Sequence, residues 1–147
     1  MSDVQPILCG DFSAVACRAL LLARSSVRIM VFDWRFYSGS VGSATQVFNS
    51  TILELQRSGL DVRCLVHNAV TRAKLKALGF NVRTAGAGRL LHAKLIIIDE
   101  KHLIIGSHNF SQMAFSRNLE CSVLIKYCDC IDSFINFFDN VFNNGYC

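Results

Sequence analysis

The chain has 147 residues, of which 52% are hydrophobic and 18% are charged, and its formal net charge is +4 with a pI near 8.8. This length suits one domain with a buried core, and this composition excludes an intrinsically disordered chain. No apolar stretch approaches the roughly 18 uninterrupted residues of a membrane-spanning helix, so stable membrane insertion is not expected.

Segments with helical and with β periodicity alternate along the chain. Helices are predicted at residues 11–25, 44–58, 71–78 and 131–142, with a loop or short helix at 110–118. Strands are predicted at residues 27–32, 60–66, 80–83, 91–98, 102–105 and 119–126. Asp11 is a possible N-cap of the first helix, and Gly59 and Gly79 are expected to end the second and third.

This order of elements predicts an α/β fold, with a mixed β-sheet flanked by helices on both faces. The tight turn at residues 99–101 is expected to join two strands into a hairpin. The apolar run at residues 96–98 is typical of a central strand, because both of its faces are apolar.

The chain has seven cysteines, and four of them (Cys9, Cys17, Cys64 and Cys121) lie in apolar contexts, where a thiol packs as a small hydrophobe. The pair Cys128 and Cys130 does not have the spacing of a zinc site. No secretory leader pattern opens the sequence. We therefore expect a reducing, intracellular location such as the cytoplasm, with no bound metal.

The mean hydropathy of +0.35 is high for a small soluble protein. Apolar surface in excess of one core is usually buried between subunits. The composition therefore predicts a homo-oligomer.

The segment at residues 91–109 carries polar side chains at the ends of apolar strands. His92 and Lys94 are two residues apart, so they project to the same side of a strand, and Ser107 and Asn109 repeat this spacing. Asp99 is an odd number of residues from His92, so in a strand its side chain would project to the opposite face. It is expected to brace the hairpin or hold loop backbone. Glu120 is the better candidate to orient the His92 imidazole by accepting a hydrogen bond from it.

These residues resemble the signature of the phospholipase D superfamily: His92-x-Lys94-x4-Asp99, then Gly106-Ser107-x-Asn109, then Asn118-x-Glu120. The match covers residues 91–125 at motif level and the preceding elements more loosely. The resemblance implies one phospholipase D-like domain over residues 1–147, with a single copy of the motif.

The resemblance also implies a mechanism that needs no metal or cofactor. His92 would attack phosphorus to form a phosphohistidine, which water then hydrolyses. Lys94 and Asn109 would hold the phosphoryl oxygens, Ser107 would donate a hydrogen bond, and Asp99 and Gly106 would support the site. A second motif histidine must protonate the leaving oxygen, and His67, His102 and His108 lack the motif context.

The missing histidine predicts a two-fold homodimer that brings His92 of two subunits together. The small single-motif endonucleases of this superfamily, which the chain resembles, form such dimers. His67, His102 and His108 are then expected to be surface or core histidines.

The basic charge favours a nucleic-acid substrate, DNA or RNA, and hence a nuclease, specifically an endonuclease. Arg35, Arg89 and Arg117 are candidates for binding phosphates. Nearby aromatic side chains offer stacking surfaces or, alternatively, core packing: Trp34, Phe36, Tyr37 and Phe115. Two other functions stay open, a phospholipid phosphodiesterase or phosphatidyl transferase, and a nucleic-acid-binding module without catalysis.

Overall fold

Seven strands form one mixed β-sheet in the computed structural model, which describes residues 3–146. In chain order they are β1 (Asp3–Leu8), β2 (Ser26–Val31), β3 (Asp61–Val66), β4 (Asn81–Arg83), β5 (Leu95–Ile98), β6 (His102–Gly106) and β7 (Cys121–Lys126). Their order across the sheet is β1-β7-β6-β5-β2-β3-β4. Neighbours β2, β3 and β4 are parallel, and the remaining pairs are antiparallel.

Five α-helices connect these strands: α1 (Phe12–Leu20), α2 (Ala44–Arg57), α3 (Ala69–Ala77), α4 (Gln112–Ser116) and α5 (Ile131–Asn144). Ser43 caps α2 by accepting from the Gln46 amide, and Asn68 caps α3 by accepting from the amides of its first turn. Gly59 and Gly79 follow α2 and α3 with φ of +90° and +89°, a backbone conformation that favours glycine.

The core lies on both faces of the sheet, because the side chains of a strand alternate between its faces. On β5, Ile96 and Ile98 pack in the cluster beneath α1 and α2, whereas Ile97 packs in the cluster beneath α5. Both faces of this central strand are therefore covered. The predicted mixed sheet with helices on both faces is confirmed.

Strand β1 was not predicted from the sequence. It pairs with β7 alone and forms one edge of the sheet. Pro6 lies within it, and a proline, which has no N–H to donate, is tolerated in an edge strand but weakens the sequence signal for one. The long-range pairing with β7 therefore decides this element.

Two predicted elements extend at least four residues beyond the observed ones. Helix α1 ends at Leu20 rather than at residue 25, and β5 begins at Leu95 rather than at residue 91. His92 and Lys94 consequently precede β5 in extended chain, although the Lys94 carbonyl still accepts from the Gly106 amide at 3.4 Å.

Six cysteines lie among the described residues, and all six are free thiols. Cys64 is buried, which raises the pKa of its thiol, but Cys121 is exposed, contrary to the packing role predicted for it. Cys121 begins β7 at the rim of the sheet, where the apolar pattern of its neighbours does not bury it. Within residues 3–146, no helix combines the length and the apolar character needed to cross a membrane.

Asp99 holds the loop before β2. Its carboxylate accepts from the amides of Arg24, Ser25 and Ser26 and from the Ser25 hydroxyl, at 2.8 to 3.0 Å. Its own φ is +52°, in the tight turn between β5 and β6. The spacing from His92 predicted this backbone-holding role.

We expect Asp99→Asn to destabilise the protein at neutral pH and to have less effect in acid. Burial opposes ionisation of this carboxyl, but the hydrogen bonds from the 24–26 loop outweigh it and lower the pKa below its ordinary value of 3.8. A lowered pKa stabilises the folded state at pH above the ordinary value, and this contribution disappears as the pH falls through the folded-state pKa.

The expected loss is about 1 kcal/mol at pH 7, after allowance for solvent screening. Urea unfolding of both proteins at pH 7 and pH 3 measures it, with the exposed Asp129→Asn as a control that changes little. A loss for Asp99→Asn that does not vary with pH would contradict this assignment.

Candidate active site

The predicted site residues meet at one rim of the sheet. Asp33 follows β2, His92 and Lys94 precede β5, and residues 107–109 follow β6. Because β5 is antiparallel to both of its neighbours, its beginning lies beside the ends of β2 and β6. Glu120 immediately precedes β7 at this same rim. We call this end of the strands the site rim.

Lys94 lies directly against His92. Its ammonium is 2.7 Å from the His92 carbonyl oxygen and 3.3 Å from each of the two ring nitrogens. A phosphoryl oxygen that approached either nitrogen would therefore meet a positive charge. Partial burial lowers the pKa of Lys94, and the nearby Glu120 carboxylate opposes that shift.

Asn109 is fixed by the chain that follows β2. Its Oδ1 accepts from the Asp33 amide at 3.1 Å, which defines the orientation of the side-chain amide. The Nδ2 group has no hydrogen-bond partner recorded within residues 3–146, so it is available to donate to an anion.

Glu120 contacts Ser107 and Asn118 rather than His92 within residues 3–146. One carboxylate oxygen accepts from Ser107 Oγ, and the other accepts from Asn118 Nδ2 at 3.0 Å. Burial opposes ionisation of Glu120, but these two hydrogen bonds outweigh it and lower its pKa. Each oxygen keeps a second lone pair, so the orienting role predicted for Glu120 toward a His92 ring stays a prediction.

Ser107 is therefore engaged as well. It donates its only proton to Glu120 and accepts from the Cys121 amide at 3.1 Å. A hydroxyl has one proton to donate, so in this arrangement Ser107 cannot also donate to a phosphoryl oxygen. Its observed role is to hold Glu120 beside Lys94.

Gly106 is required by a close approach of β6 to β7. A Cβ atom at this position would overlap the Cys121 carbonyl oxygen and Ser122 Oγ. Any larger residue would push β7, and with it Glu120, away from the site rim. The supporting role predicted for Gly106 agrees with this geometry.

The three candidate phosphate-binding arginines are exposed and lie in segments beside the rim: Arg35, Arg89 and Arg117. Arg35 is paired with Asp33 at 2.8 Å. Arg117 ends α4. Arg89 lines a cavity of about 290 Å³ together with His92, and most of the other lining residues are apolar.

Two of the four aromatic residues predicted as stacking surfaces are core residues. Trp34 and Phe115 are 3% and 2% exposed, so they cannot stack on a base, whereas Phe36 and Tyr37 are partly exposed. The buried Trp34 donates to Asn49 at 2.7 Å. Local sequence does not distinguish a rim aromatic from a core aromatic.

The other histidines occupy three different environments. His108 is buried, with its ring nitrogens 2.7 Å from Ser122 Oγ and 2.8 Å from the Cys9 carbonyl oxygen, and burial lowers its pKa. His102 begins β6 at the end of the strands opposite the site rim, and partial burial lowers its pKa too. Both are the structural histidines that were predicted.

His67 is the functional candidate that the sequence analysis missed. It follows β3, and its ring stacks on Phe32, with ring centroids 5.2 Å apart. Phe32 also contacts His92, with centroids 5.2 Å apart. The available signal was the position of both residues directly after neighbouring parallel strands, which end at the same rim.

Among residues 3–146, no cluster of histidine, cysteine and acidic side chains could hold a metal ion. The chemistry that the rim offers is that of an imidazole, an ammonium and an amide donor around one small region. That combination suits nucleophilic attack on a phosphodiester.

Comparison with known proteins agrees with this chemistry. The sequence model of the family described as "Cardiolipin synthase, PLD-like domain" matches residues 16–142. The mouse protein named "Mitochondrial cardiolipin hydrolase" is 29% identical over 124 residues, which cover 84% of this chain and 55% of that protein. The Xenopus tropicalis protein named "5'-3' exonuclease PLD3" is 28% identical over 128 residues, which cover 76% of this chain and 26% of that protein.

The chain thus spans about half the length, or less, of these curated relatives. A solved structure matches over nearly its full length: the phospholipase D family member Nuc from Salmonella typhimurium has a TM-score of 0.81 and 22% identity, with 99% of this chain and 97% of that chain covered. At this identity the likeness concerns the fold.

Proposed function

The chain belongs to the phospholipase D superfamily, and we propose that it is a metal-independent phosphodiesterase that hydrolyses nucleic acid as an endonuclease. The observation that carries this proposal is the meeting of His92, Lys94 and Asn109 at the site rim. These are the imidazole, the cation and the amide donor that phosphoryl transfer through a histidine needs.

In the proposed mechanism, a ring nitrogen of His92 attacks phosphorus. A bond between nitrogen and phosphorus forms, the bond from phosphorus to the leaving oxygen breaks, and a second histidine gives that oxygen a proton. Water then attacks the phosphohistidine, gives up its proton to the second histidine, and releases the phosphate monoester and His92. Lys94 and Asn109 stabilise the charge on the phosphoryl oxygens in both steps.

We infer that the second histidine is His92 of another copy of the chain. His102 lies at the strand ends opposite the rim, and both ring nitrogens of His108 are occupied in the core. His67 stacks on Phe32 and has no recorded contact with His92. Exposed apolar side chains lie in the segments that border the site rim, among them Leu90, Met113 and Leu119, with Leu119 94% exposed. A two-fold interface over this surface would bury them and bring the two His92 rings together.

The distribution of charge supports a polyanionic substrate. Five of the eleven acidic residues lie at or just beyond the strand ends opposite the rim, where Lys101 and Lys126 also lie: Asp3, Asp61, Asp99, Asp129 and Asp132. At the rim, Asp33 is paired with Arg35, and Glu120 is held by Ser107 and Asn118. Lys94, Arg35 and Arg117 thus border the site where a phosphate backbone would pass.

A second candidate function is hydrolysis of a phospholipid. The cavity of about 290 Å³ beside His92 is lined mainly by apolar groups, including Met30, Leu91 and Phe137. An acyl chain would fit such a lining. One of the relatives is named for cardiolipin hydrolysis.

A substrate panel in the presence of EDTA tests the proposed function. We expect the protein to cleave circular single-stranded DNA or RNA, since a circle has no end and its cleavage requires an endonuclease. Vesicles that contain cardiolipin are expected to release no phosphatidic acid.

Each other outcome selects a different function. Loss of cleavage in EDTA would contradict the metal-independent mechanism. Hydrolysis of the vesicles without cleavage of nucleic acid would favour the phospholipid candidate. Binding without any cleavage would favour a non-catalytic nucleic-acid-binding module.

A further inference from the structure

Within residues 3–146 of one chain, the recorded contacts of the His92 ring are with Lys94 and Phe32, and the Glu120 oxygens accept from Ser107 and Asn118. His92 is itself exposed. A nucleophile on an exposed side chain loses activity when its ring is free to rotate.

Phe32 supplies the surface that limits this rotation. The ring follows β2, is half-buried, and lies with its centroid 5.2 Å from the His92 centroid at an interplanar angle of 49°. Aromatic rings at this separation attract each other through their edges and faces as well as through burial.

Phe32 also contacts two other basic side chains of the site. His67 stacks on it with centroids 5.2 Å apart at 26°, and the Lys94 ammonium lies 5.6 Å from its centroid. One ring therefore touches His92, its neighbouring cation and a third basic side chain. The negative face of an aromatic ring favours such partners.

We propose that Phe32 is a positioning residue of the active site, which holds the His92 ring in the orientation for attack on phosphorus, with His67 packed behind it. The inference rests on the proposed role of His92 as nucleophile.

Phe32→Leu tests the proposal, because it keeps an apolar side chain and removes the ring. The expected result is a fall in kcat of about ten- to a hundredfold, the order of loss produced by a misplaced catalytic group, with KM changed less than about twofold. Phe32→Tyr retains the ring and is expected to keep kcat within about twofold.

Phe134→Leu is the matched control. Phe134 is also half-buried and packs against the cluster beneath α5, but it makes no recorded contact with His92. It should keep kcat within about twofold although it loses the same ring. Equal losses in Phe32→Leu and Phe134→Leu, or full kcat in Phe32→Leu, would overturn the proposal.

A measurement without substrate separates this inference from the proposed function. Three-bond NMR couplings report the χ1 rotamer of His92, and we expect one rotamer in the unsubstituted protein and averaged rotamers in Phe32→Leu. A single rotamer in both proteins would overturn the proposal. Averaging in Phe32→Leu supports the positioning role even if the substrate panel finds no cleavage of nucleic acid.

Discussion

Replacing His92 with alanine is expected to abolish hydrolysis, with a loss of at least about a thousandfold in kcat, as is typical when a covalent nucleophile is removed. Alanine leaves no atom to bond to phosphorus. Because His92 is exposed, the substitution should leave the fold intact. Multiple-turnover cleavage of a labelled oligonucleotide, with circular dichroism as a check of folding, measures the effect.

Two further histidine substitutions are the controls. His102→Ala removes a histidine at the end of the strands opposite the site rim and should keep kcat within about twofold, as expected for a group remote from the chemistry. His67→Ala removes the outer member of the Phe32 stack and should have an effect between those of the other two. Full activity in His92→Ala would show that the site has been assigned to the wrong residue.

The same reasoning predicts that a dimer with one intact His92 is nearly inactive. If the active site needs one His92 as nucleophile and another as acid, a heterodimer of the unsubstituted chain and His92→Ala lacks one member of the only His92 pair. Independent sites would instead leave such a heterodimer with about half of the activity, since one of its two sites stays whole.

Coexpression of two differently tagged chains, followed by purification on both tags, isolates this heterodimer. The reference is a tagged heterodimer of two unsubstituted chains, prepared in the same way. Half of the reference activity would contradict the shared-site hypothesis. An active monomer in sedimentation velocity at assay concentration would contradict it as well.

Local sequence predicted most of the fold. The alternation of helical and strand periodicity identified every strand except β1 and the four longer α-helices, and it left α4 open as a loop or short helix. The apolar run at residues 96–98 identified the central strand. These patterns are local, because periodicity records only which faces of an element are buried. The position of β1 depends on pairing with β7 more than 100 residues later, and no local pattern reports it.

The sequence predicted which site residues share a side, because side chains alternate along extended chain. It could not predict the hydrogen bonds and ring contacts between separate segments. Spacing predicted that His92 and Lys94 share one side, and they are in contact. It also excluded Asp99 as a partner of His92, and Asp99 holds the 24–26 loop instead. It could not show that Ser107 donates to Glu120, since Ser107 follows β6 and Glu120 precedes β7. The Phe32 ring beside His92 likewise depends on the antiparallel register of β2 and β5.

The sequence by itself determined which chemical groups lie together at the site rim: the imidazole of His92, the ammonium of Lys94 and the amide of Asn109, which we propose act on a phosphodiester. It did so because their spacing in extended chain beside the strands leaves little choice of face. Only the tertiary structure decided which groups support them. Asn109 accepts from the Asp33 amide, the His92 ring contacts Phe32, and Ser107 holds Glu120 near Lys94. These supports join segments distant in the chain, so the pairing order of the strands selects them.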